Sequence, residues 1–519
     1  MSPDSSEVAT GEETARHPSQ SSLTARTVSG LQWTYLATAV SAVMQMIYAG
    51  VMGRLLDPAA FGLVAASMLV INFGNTFAKM GVGQALIQKR ELSAAEIRAG
   101  FTSTVVLGAL VVSIIWVLAP VLAVQVLRQP DVAPVLRATS ISLLLSSAGI
   151  TAESLIRRTM KFRQLAIRNM ASYTVGYFAV GIGLALAGAG VWSLVGAALV
   201  SSSLRSVLTF AMHRHPVRPM LDWKVYRPLY AFGGQVSIIS MMEYLGQNLD
   251  TVAVSRYLSA ALLGQYNRAY FLVTVPVNQL LTSLSTVLFP GFSAMQDNPA
   301  RVRRSYLTAL GASAAIFVPM CAGMAVAANE IVLVVLGPRW TPVIDVLPLF
   351  AMATAFKVMS HFGGVVCEAQ GELRKKLALQ GLFLLLLTVL LASAIGGGLR
   401  AYAAAFLGAK AFQHIGYLFV LRRTLRVPWG DFGHIHLRSG LAALVTSGGI
   451  LLVRLSLLQI GTPLALVLAA ELAVGALSLA IMLRAGPLRP LGRDLLGRLE
   501  TAGSTNLVVR GMKLLLGGP

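Results

Sequence analysis

Residues 101–120 read FTSTVVLGALVVSIIWVLAP, twenty consecutive residues without a charged side chain. An α-helix of about 20 residues crosses a hydrocarbon core of roughly 30 Å, and apolar runs of this kind recur along nearly the whole chain. Only helices and closed barrels satisfy their backbone groups in lipid, and these runs are continuous rather than alternating, which argues against a barrel. The sequence therefore predicts an all-α polytopic membrane protein.

The composition of the 519-residue chain agrees, with 55% hydrophobic and 12% charged residues and a mean hydropathy of +0.70. The apolar runs, which are separated by short segments that contain charged residues, predict about 14 transmembrane helices. The predicted spans are 30–50, 61–81, 100–122, 135–154, 169–188, 191–212, 229–252, 262–290, 306–328, 343–367, 377–396, 401–421, 440–458 and 462–483. Cys321 and Cys367 lie in or beside apolar runs, so we interpret them as packing residues.

The net charge of +21 does not indicate nucleic acid, because Lys and Arg fall mostly between the apolar runs. With a cytoplasmic N-terminus, 30 of the 42 Lys and Arg residues fall on the cytoplasmic side, six on the external side and six within spans. This imbalance predicts a multi-pass inner-membrane protein with both termini in the cytoplasm.

The segment Gly53–Leu56, followed by Phe61 and Gly62, aligns with Ser255–Leu258, followed by Leu263 and Gly264, at a constant offset of 202. Both segments join the first and second spans of a six-span set, so the sequence predicts two six-helix lobes in parallel repeat around a central cavity, plus two extra C-terminal helices. The predicted organisation is a disordered cytoplasmic tail (1–29), an N-lobe (30–212), a cytoplasmic linker (213–228), a C-lobe (229–421), a cytoplasmic loop (422–439), spans 13 and 14 (440–483) and a cytoplasmic C-terminal tail (484–519).

Several segments at the predicted span junctions carry a family resemblance. They are GRLLDPAAFG (53–62), RRTMKFRQLA (157–166), GAGVWSLV (188–195), NLDTVAVSRYL (248–258), LGQYNRAY (263–270) and LGPRWTPVIDVLPLFA (336–351). Together they resemble the Wzx-like oligosaccharide flippases of the polysaccharide transporter family, in the multidrug/oligosaccharidyl-lipid/polysaccharide exporter superfamily. The resemblance implies twelve core helices in two lobes. It also implies translocation of an undecaprenyl-pyrophosphate-linked oligosaccharide across the bacterial cytoplasmic membrane by alternating access, for cell-surface polysaccharide synthesis.

Ionisable residues at membrane depth usually face a cavity or a partner, and here they fall on helical stripes. The stripe of predicted span 7 is Ser240, Glu243, Gln247 and Asp250, and that of predicted span 10 is Lys357, His361, Gly364 and Glu368. Glu243, Gln247 and Asp250 are candidate ligands of a coupling ion, either a proton or sodium. Glu243 and Asp250 can also pair structurally with a basic residue, and this alternative stays open.

Basic residues outnumber acids within the spans, so the sequence predicts a positively charged cavity, as a pyrophosphate requires. The candidate substrate-binding residues are Lys79, Arg205, Arg268, Lys357, His361 and Lys410. Two alternatives stay open. Lys79 and Arg205 lie near cytoplasmic ends and can extend to the interface, and Lys357 with His361 can pair with Glu368 or with a neighbouring helix. Arg54 and Arg256 are expected to be anchors at interfacial turns.

No phosphate-binding loop, metal-ligand spacing or nucleophile with its base is readable in the sequence, so we expect neither an enzyme nor a cofactor. The expected partners are the lipid-linked oligosaccharide, membrane lipid and, in the polysaccharide pathway, a polymerase and glycosyltransferases. Two other functions remain open: an ion-coupled exporter of small organic cations, and a non-transporting scaffold of a polysaccharide synthase. The first requires an acidic, aromatic cavity, and the second requires buried charges that pair off with no cavity.

Overall fold

The computed structural model describes residues 20–79, 81–89, 92–220, 222, 225–226, 244–293 and 299–484, with all their side chains except those of 20–36, 79, 88 and 283–299. Over these residues the protein consists of helices and short connections, without a strand. The all-α fold class is therefore confirmed.

The structure describes eight α-helices in the first half of the chain. They are α1 (Gln20–Leu55), α2 (Pro58–Lys79), α3 (Val82–Gln88), α4 (Ala94–Val121), α5 (Val132–Arg158), α6 (Phe162–Tyr173), α7 (Ile182–Leu186) and α8 (Val191–Met212). Two π-helical segments extend them, Leu122–Val126 after α4 and Thr174–Gly181 between α6 and α7.

The second half begins with α9, whose described residues are 244–257. It continues with α10 (Ala260–Ser293), α11 (Pro299–Val326), α12 (Ala328–Val335), a 3₁₀ turn (Pro338–Trp340), α13 (Thr341–Ala369), α14 (Leu373–Ser393), α15 (Gly398–Leu425), α16 (Trp429–Gln459) and α17 (Leu464–Arg484).

Among the described residues, eleven helices are long and apolar enough to cross a membrane. They coincide with predicted spans 2 to 6 and 9 to 14. The other three predicted spans fall at α1, α9 and α10, each of which includes or adjoins residues outside the description. A total of fourteen spans and the domain boundaries stay predictions.

Local sequence signals explain where α4 begins and where its hydrogen-bonding pattern changes. At its start, the Ser93 hydroxyl accepts a hydrogen bond from the Glu96 backbone, and the Glu96 carboxylate accepts one from the Ser93 backbone. Near its end, Pro120 lacks a backbone N–H, and the π-helical turn Leu122–Val126 follows directly.

Helices α2 and α10 bring the two halves into contact at the end where α1 meets α2. A β-carbon on Gly62 would lie 1.7 Å from the Ala260 carbonyl oxygen, and one on Gly264 would lie 1.9 Å from the Pro58 carbonyl oxygen. Gly62 and Gly264 are separated by the repeat offset of 202, and so are Pro58 and Ala260. The contact is therefore reciprocal, as expected for two lobes related by an approximate two-fold axis. Only glycine permits backbones to approach this closely.

Candidate functional site

A cavity of about 340 Å³ lies between the two halves, behind this glycine contact. Helices α1, α2, α8, α9 and α10 line it, together with the π-helical segment that carries Tyr177. Among the described residues, its lining contains one basic residue, Arg268, and one acidic residue, Asp250. Polar side chains between them, Asn72, Gln247 and Asn267, make it a wet rather than an apolar cavity.

Arg268 has aromatic rather than acidic neighbours. Its guanidinium lies 4.2 Å from the centre of the Phe61 ring and 5.0 Å from that of Phe271. Its Nε is buried without a hydrogen-bond partner, and within the described part of the chain it makes no ion pair. The side chain therefore retains unused donors beside the cavity.

The wall facing Arg268 is a cluster of tyrosines. The rings of Tyr173 and Tyr177 are stacked 4.5 Å apart, and Tyr48 meets Tyr177 edge-on at 5.1 Å. Tyr177 lies on the π-helical segment, whose wider turns are frequent at functional sites. The Tyr48 hydroxyl is buried and has no hydrogen-bond partner among the residues that the structure describes. This wall supplies hydroxyl groups but no negative charge.

Asp250 is the acidic residue of the cavity, and its side chain is buried. One carboxylate oxygen accepts a hydrogen bond of 2.8 Å from the Tyr266 hydroxyl, and the other has no hydrogen-bond partner among the described residues. Within the described residues Asp250 forms no ion pair, although it interacts electrostatically with Lys410, so its pairing with a basic residue stays a prediction. Gln247, one turn earlier on α9, also lines the cavity.

On the C-lobe side, the Lys357 ammonium donates a 3.0 Å hydrogen bond to the Tyr270 hydroxyl, and Tyr270 lines the cavity. Glu368, its alternative partner, instead forms an ion pair with Lys376. Lys410 is buried, with its ammonium 4.1 Å from the centre of the Phe383 ring, and it does not line the cavity.

The remaining sequence-predicted residues are more scattered. His361 is exposed on α13, and Arg205 is exposed on α8, close enough to Tyr177 for an electrostatic interaction. The side chain of Lys79 and the whole of Glu243 lie outside the described residues. The structure thus brings Arg268, Asp250 and Gln247 into one cavity, with Lys357 joined to its wall through Tyr270.

Hydrogen bonds between the lobes reinforce the glycine contact in reciprocal pairs. The Gln129 amide donates to the Ser255 carbonyl at 2.7 Å, and the Trp340 indole donates to the Gly53 carbonyl at 2.8 Å. The two acceptors are again separated by 202 residues. We call this set of contacts, formed by residues 53–62, 125–129, 255–264 and 334–340, the interlobe clasp.

Arg54 and Arg256 belong to the clasp and are not simply interfacial anchors. Arg54 donates to the Val334 carbonyl at 2.7 Å, and Arg256 donates to the Val126 carbonyl at 2.9 Å. Arg54 lies in the last turn of α1 and reaches α12, which follows α11. Arg256 lies in the last turn of α9 and reaches the π-helical segment that follows α4. The clasp therefore joins the two lobes beside the cavity, and its residue Phe61 lines that cavity.

Sequence reasoning missed the tyrosine wall and the function of the clasp. The sequence does contain a signal for the tyrosine wall, because Tyr173 and Tyr177 are four residues apart and residues at that spacing share a helical face. The glycines of the clasp lay inside the repeated segments, but their close contact involves residues about 200 positions apart. Among the described residues no cluster of three or more metal-ligating side chains occurs.

Comparison with known proteins identifies the family. A family model described as polysaccharide biosynthesis protein matches residues 51–345. The chain is 27% identical to the lipopolysaccharide biosynthesis protein WzxC of Escherichia coli, over 68% of this chain and 71% of that one. It is 24% identical to the teichuronic acid biosynthesis protein TuaB of Bacillus subtilis, over 68% and 73%, and 26% identical to the succinoglycan biosynthesis transport protein ExoT of Rhizobium meliloti, over 63% and 66%.

Among solved structures, the fold is similar to that of the lipid II flippase MurJ in an inward closed conformation. The TM-score is 0.70 at 14% identity, covering 89% of this chain and 99% of that one. An inward-facing multidrug resistance transporter of the MATE family gives 0.54 at 15% identity, covering 76% and 99%. The resemblance based on the sequence motifs is confirmed: the chain belongs to the polysaccharide biosynthesis protein family of membrane proteins.

Proposed function

We propose that this protein is a flippase that moves an undecaprenyl-pyrophosphate-linked oligosaccharide from the inner to the outer leaflet of the bacterial cytoplasmic membrane. The observation that carries the proposal is Arg268, a guanidinium beside a polar interlobe cavity with an unused donor and no acidic partner among the described residues. The family and the names of its relatives support a role in exporting a polysaccharide precursor.

Arg268 suits a pyrophosphate because its planar guanidinium can donate two parallel hydrogen bonds to phosphate oxygens. Lys357 provides a second positive charge at the cavity wall through Tyr270. Arg205 adds charge on the N-lobe side, and we retain Lys79, His361 and Lys410 as proposed contributors to the electrostatic field rather than as direct ligands. A cavity of 340 Å³ is far smaller than an oligosaccharide, so we assign it to the pyrophosphate and leave the glycan to wider parts of the path.

Alternating access gives the clasp a defined function. The distribution of Lys and Arg assigns the clasp end to the outside and both termini to the cytoplasm. With the clasp closed, the cavity is shut from the outside and the substrate enters from the cytoplasmic side. Opening the clasp then releases the pyrophosphate headgroup to the outer leaflet.

We assign ion coupling in the central cavity to Asp250, with Gln247 beside it. Asp250 combines near-complete burial, 3% exposed, with a carboxylate oxygen that has no partner. A proton or sodium ion satisfies that oxygen, and it binds differently when the cavity opens and admits water. Glu243, one turn before Gln247 in the sequence, belongs to the same proposal.

The two other functions are less well supported. Tyrosines and Asp250 are groups that an organic-cation exporter uses, but the unpaired Arg268 repels a cationic ligand in the same cavity. A non-transporting scaffold requires no cavity and pairs its buried charges, whereas Arg268 has no acidic partner among the described residues.

The test is delivery of lipid-linked glycan to the outer face of a deletion strain complemented with single variants. Charge-assisted hydrogen bonds contribute about 1.5–3 kcal/mol, so we expect Arg268→Gln to weaken pyrophosphate binding roughly 10- to 150-fold. Lys357→Ala should reduce delivery less, because Lys357 acts through Tyr270.

The matched control is Arg423→Gln, which removes an exposed arginine in the last turn of α15. Binding of undecaprenyl pyrophosphate and undecaprenyl monophosphate to protein in nanodiscs separates pyrophosphate recognition from recognition of the lipid tail. Full delivery by both Arg268→Gln and Lys357→Ala, at wild-type protein levels, refutes the cationic site.

A further inference from the structure

Three charged side chains meet away from the central cavity, where α12, α16 and α17 pack together. The Arg454 guanidinium lies 3.0 Å from one carboxylate oxygen of Glu330, with Arg454 on α16 and Glu330 on α12. Glu471 on α17 interacts electrostatically with both. Glu330 is 0% exposed and Glu471 is 1% exposed. The positive charge of Arg454 is therefore shared by two buried carboxyl groups.

The two carboxyl groups are also poorly hydrogen-bonded. Within the described part of the chain, neither oxygen of Glu471 has a hydrogen-bond partner, and the second oxygen of Glu330 has none. Glu471 lines an apolar groove of about 420 Å³, and it is the only charged side chain among the described residues that line this groove. The faces that α1, α10 and α11 present to this groove carry no titratable side chain among the described residues, so the charges near Glu471 are those of Glu330 and Arg454.

Two ionised carboxylates here would leave a net negative charge in an apolar environment at membrane depth. Such a charge is normally neutralised rather than tolerated. Glu330 already has Arg454 as its counterion, so the group that lacks compensation is Glu471. A proton neutralises Glu471 and gives the carboxyl pair a hydrogen-bond donor. A sodium ion suits this site less well than a proton, because it needs several oxygen ligands and the charged oxygen groups of the site are those of the two carboxyls.

We propose that Glu471, together with Glu330 and Arg454, forms a proton-binding site that is occupied when the interlobe clasp is closed. Without the proton, Glu471 competes with Glu330 for Arg454 and repels Glu330. Glu330 lies four residues before Val334 on α12, and the Val334 carbonyl accepts the clasp hydrogen bond from Arg54. Loss of the proton therefore disturbs the helix that holds one side of the clasp.

Proton binding itself does not depend on the proposed substrate, whereas its effect on the clasp rests on the proposed alternating access. The first measurement is accordingly made without a lipid-linked glycan. Infrared difference spectra of the full chain in nanodiscs, recorded between neutral and alkaline pH, detect the carbonyl stretch of a protonated carboxylic acid. Glu471→Gln should remove one component of this band completely, and the matched control Glu372→Gln, which alters an exposed ion pair with Lys375, should leave it unchanged.

A second variant, Glu330→Gln, tests the site while leaving Glu471 in place. With Glu330 neutral, Arg454 is free to pair with Glu471, so the Glu471 component should disappear at neutral pH and return only at lower pH. An unchanged band in Glu471→Gln, or an unchanged titration in Glu330→Gln, overturns the site, provided that both variants elute as the wild type does in size-exclusion chromatography.

The effect on the clasp is measured with spin labels at Leu186→Cys and Ile395→Cys, two exposed positions near the clasp ends of α7 and α14. Both native cysteines are buried. Raising the pH should increase the long-distance fraction in the otherwise wild-type protein and have no effect in Glu471→Gln. An equal response in both refutes the link between the proton and the clasp. If transport of glycan fails while both results hold, the proposed substrate is wrong and the proton site stands.

Discussion

Adding a single methyl group at Gly62 should force the interlobe clasp open. The new β-carbon would lie 1.7 Å from the Ala260 carbonyl oxygen, whereas ordinary contact begins at 3.4 Å, so the two backbones must separate by about 1.7 Å. The obstructing atoms belong to the backbone and cannot move aside as a flexible side chain can. Overpacking of this kind costs about 1–3 kcal/mol, which corresponds to a shift of roughly 5- to 150-fold towards the clasp-open conformation.

The reciprocal geometry gives this prediction a further signature. Gly264→Ala meets the Pro58 carbonyl oxygen at 1.9 Å, and the same separation of the lobes relieves both clashes. The double variant should therefore open the clasp little more than either single variant, so the two effects are not additive. Independent local distortions at the two glycines would instead give additive effects.

The measurement is the distance distribution between spin labels at Leu186→Cys and Ile395→Cys in nanodiscs. The matched control is Gly183→Ala, because a β-carbon at Gly183 meets no atom within 4 Å. We expect a new long-distance population in both clasp variants and the wild-type distribution in the control. A wild-type distribution in a correctly folded Gly62→Ala protein would show that the close glycine contact does not hold the lobes together.

Three further predictions follow from buried contacts. Trp340→Phe leaves the Gly53 carbonyl without its hydrogen-bond donor and should destabilise the closed clasp by about 1–3 kcal/mol. The same pair of spin labels measures this effect. Trp192→Phe, which alters an exposed indole, should have no effect. Arg168→Met removes a buried cation bound to Glu153 at 2.9 Å, but Glu153 is partly exposed and keeps its ion pair with Arg157. The variant should therefore destabilise the protein by about 1–3 kcal/mol, seen as a fall in Tm that Arg423→Met does not cause. Burial lowers the pKa of His215, which packs against Phe101 and Phe210, so the packed segment 213–220 favours the neutral ring. Acidification below the ordinary histidine pKa of about 6.5 should therefore increase hydrogen exchange at 213–220. His215→Phe should abolish that pH dependence.

Hydrophobicity accounts for most of what the sequence could predict about the fold. Span prediction succeeds because every backbone group in lipid must be satisfied within its own helix, so length and apolarity suffice. The repeat offset of 202 also proved informative, since both glycines and both carbonyl acceptors of the clasp are related by it. Resemblance to a family supplied the function, which hydrophobicity alone does not determine.

The sequence predicted the candidate site less completely than the fold, because the role of a side chain in the site depends more on its neighbours than on its residue type. Arg268 and Lys410 look alike in the sequence as basic residues within spans, yet one faces a polar cavity and the other lies against Phe383. Glu330 and Glu471 were not selected, because each is a single acid in an apolar helix and their shared arginine lies on a third helix. Distances between helices decide these cases, and spacing along one helix does not report them.

Both proposed ion sites lie on segments that end in the clasp, and this placement explains how a small ligand can control a large motion. Asp250 lies on α9, five residues before Ser255, whose carbonyl accepts the hydrogen bond from Gln129. Glu330 lies on α12, four residues before Val334, whose carbonyl accepts the hydrogen bond from Arg54. An ion shifts a conformational equilibrium only by its difference in affinity between the two states. A buried carboxylate that becomes hydrated when the clasp opens meets that requirement, because water stabilises its charged form and the closed interior favours its neutral form.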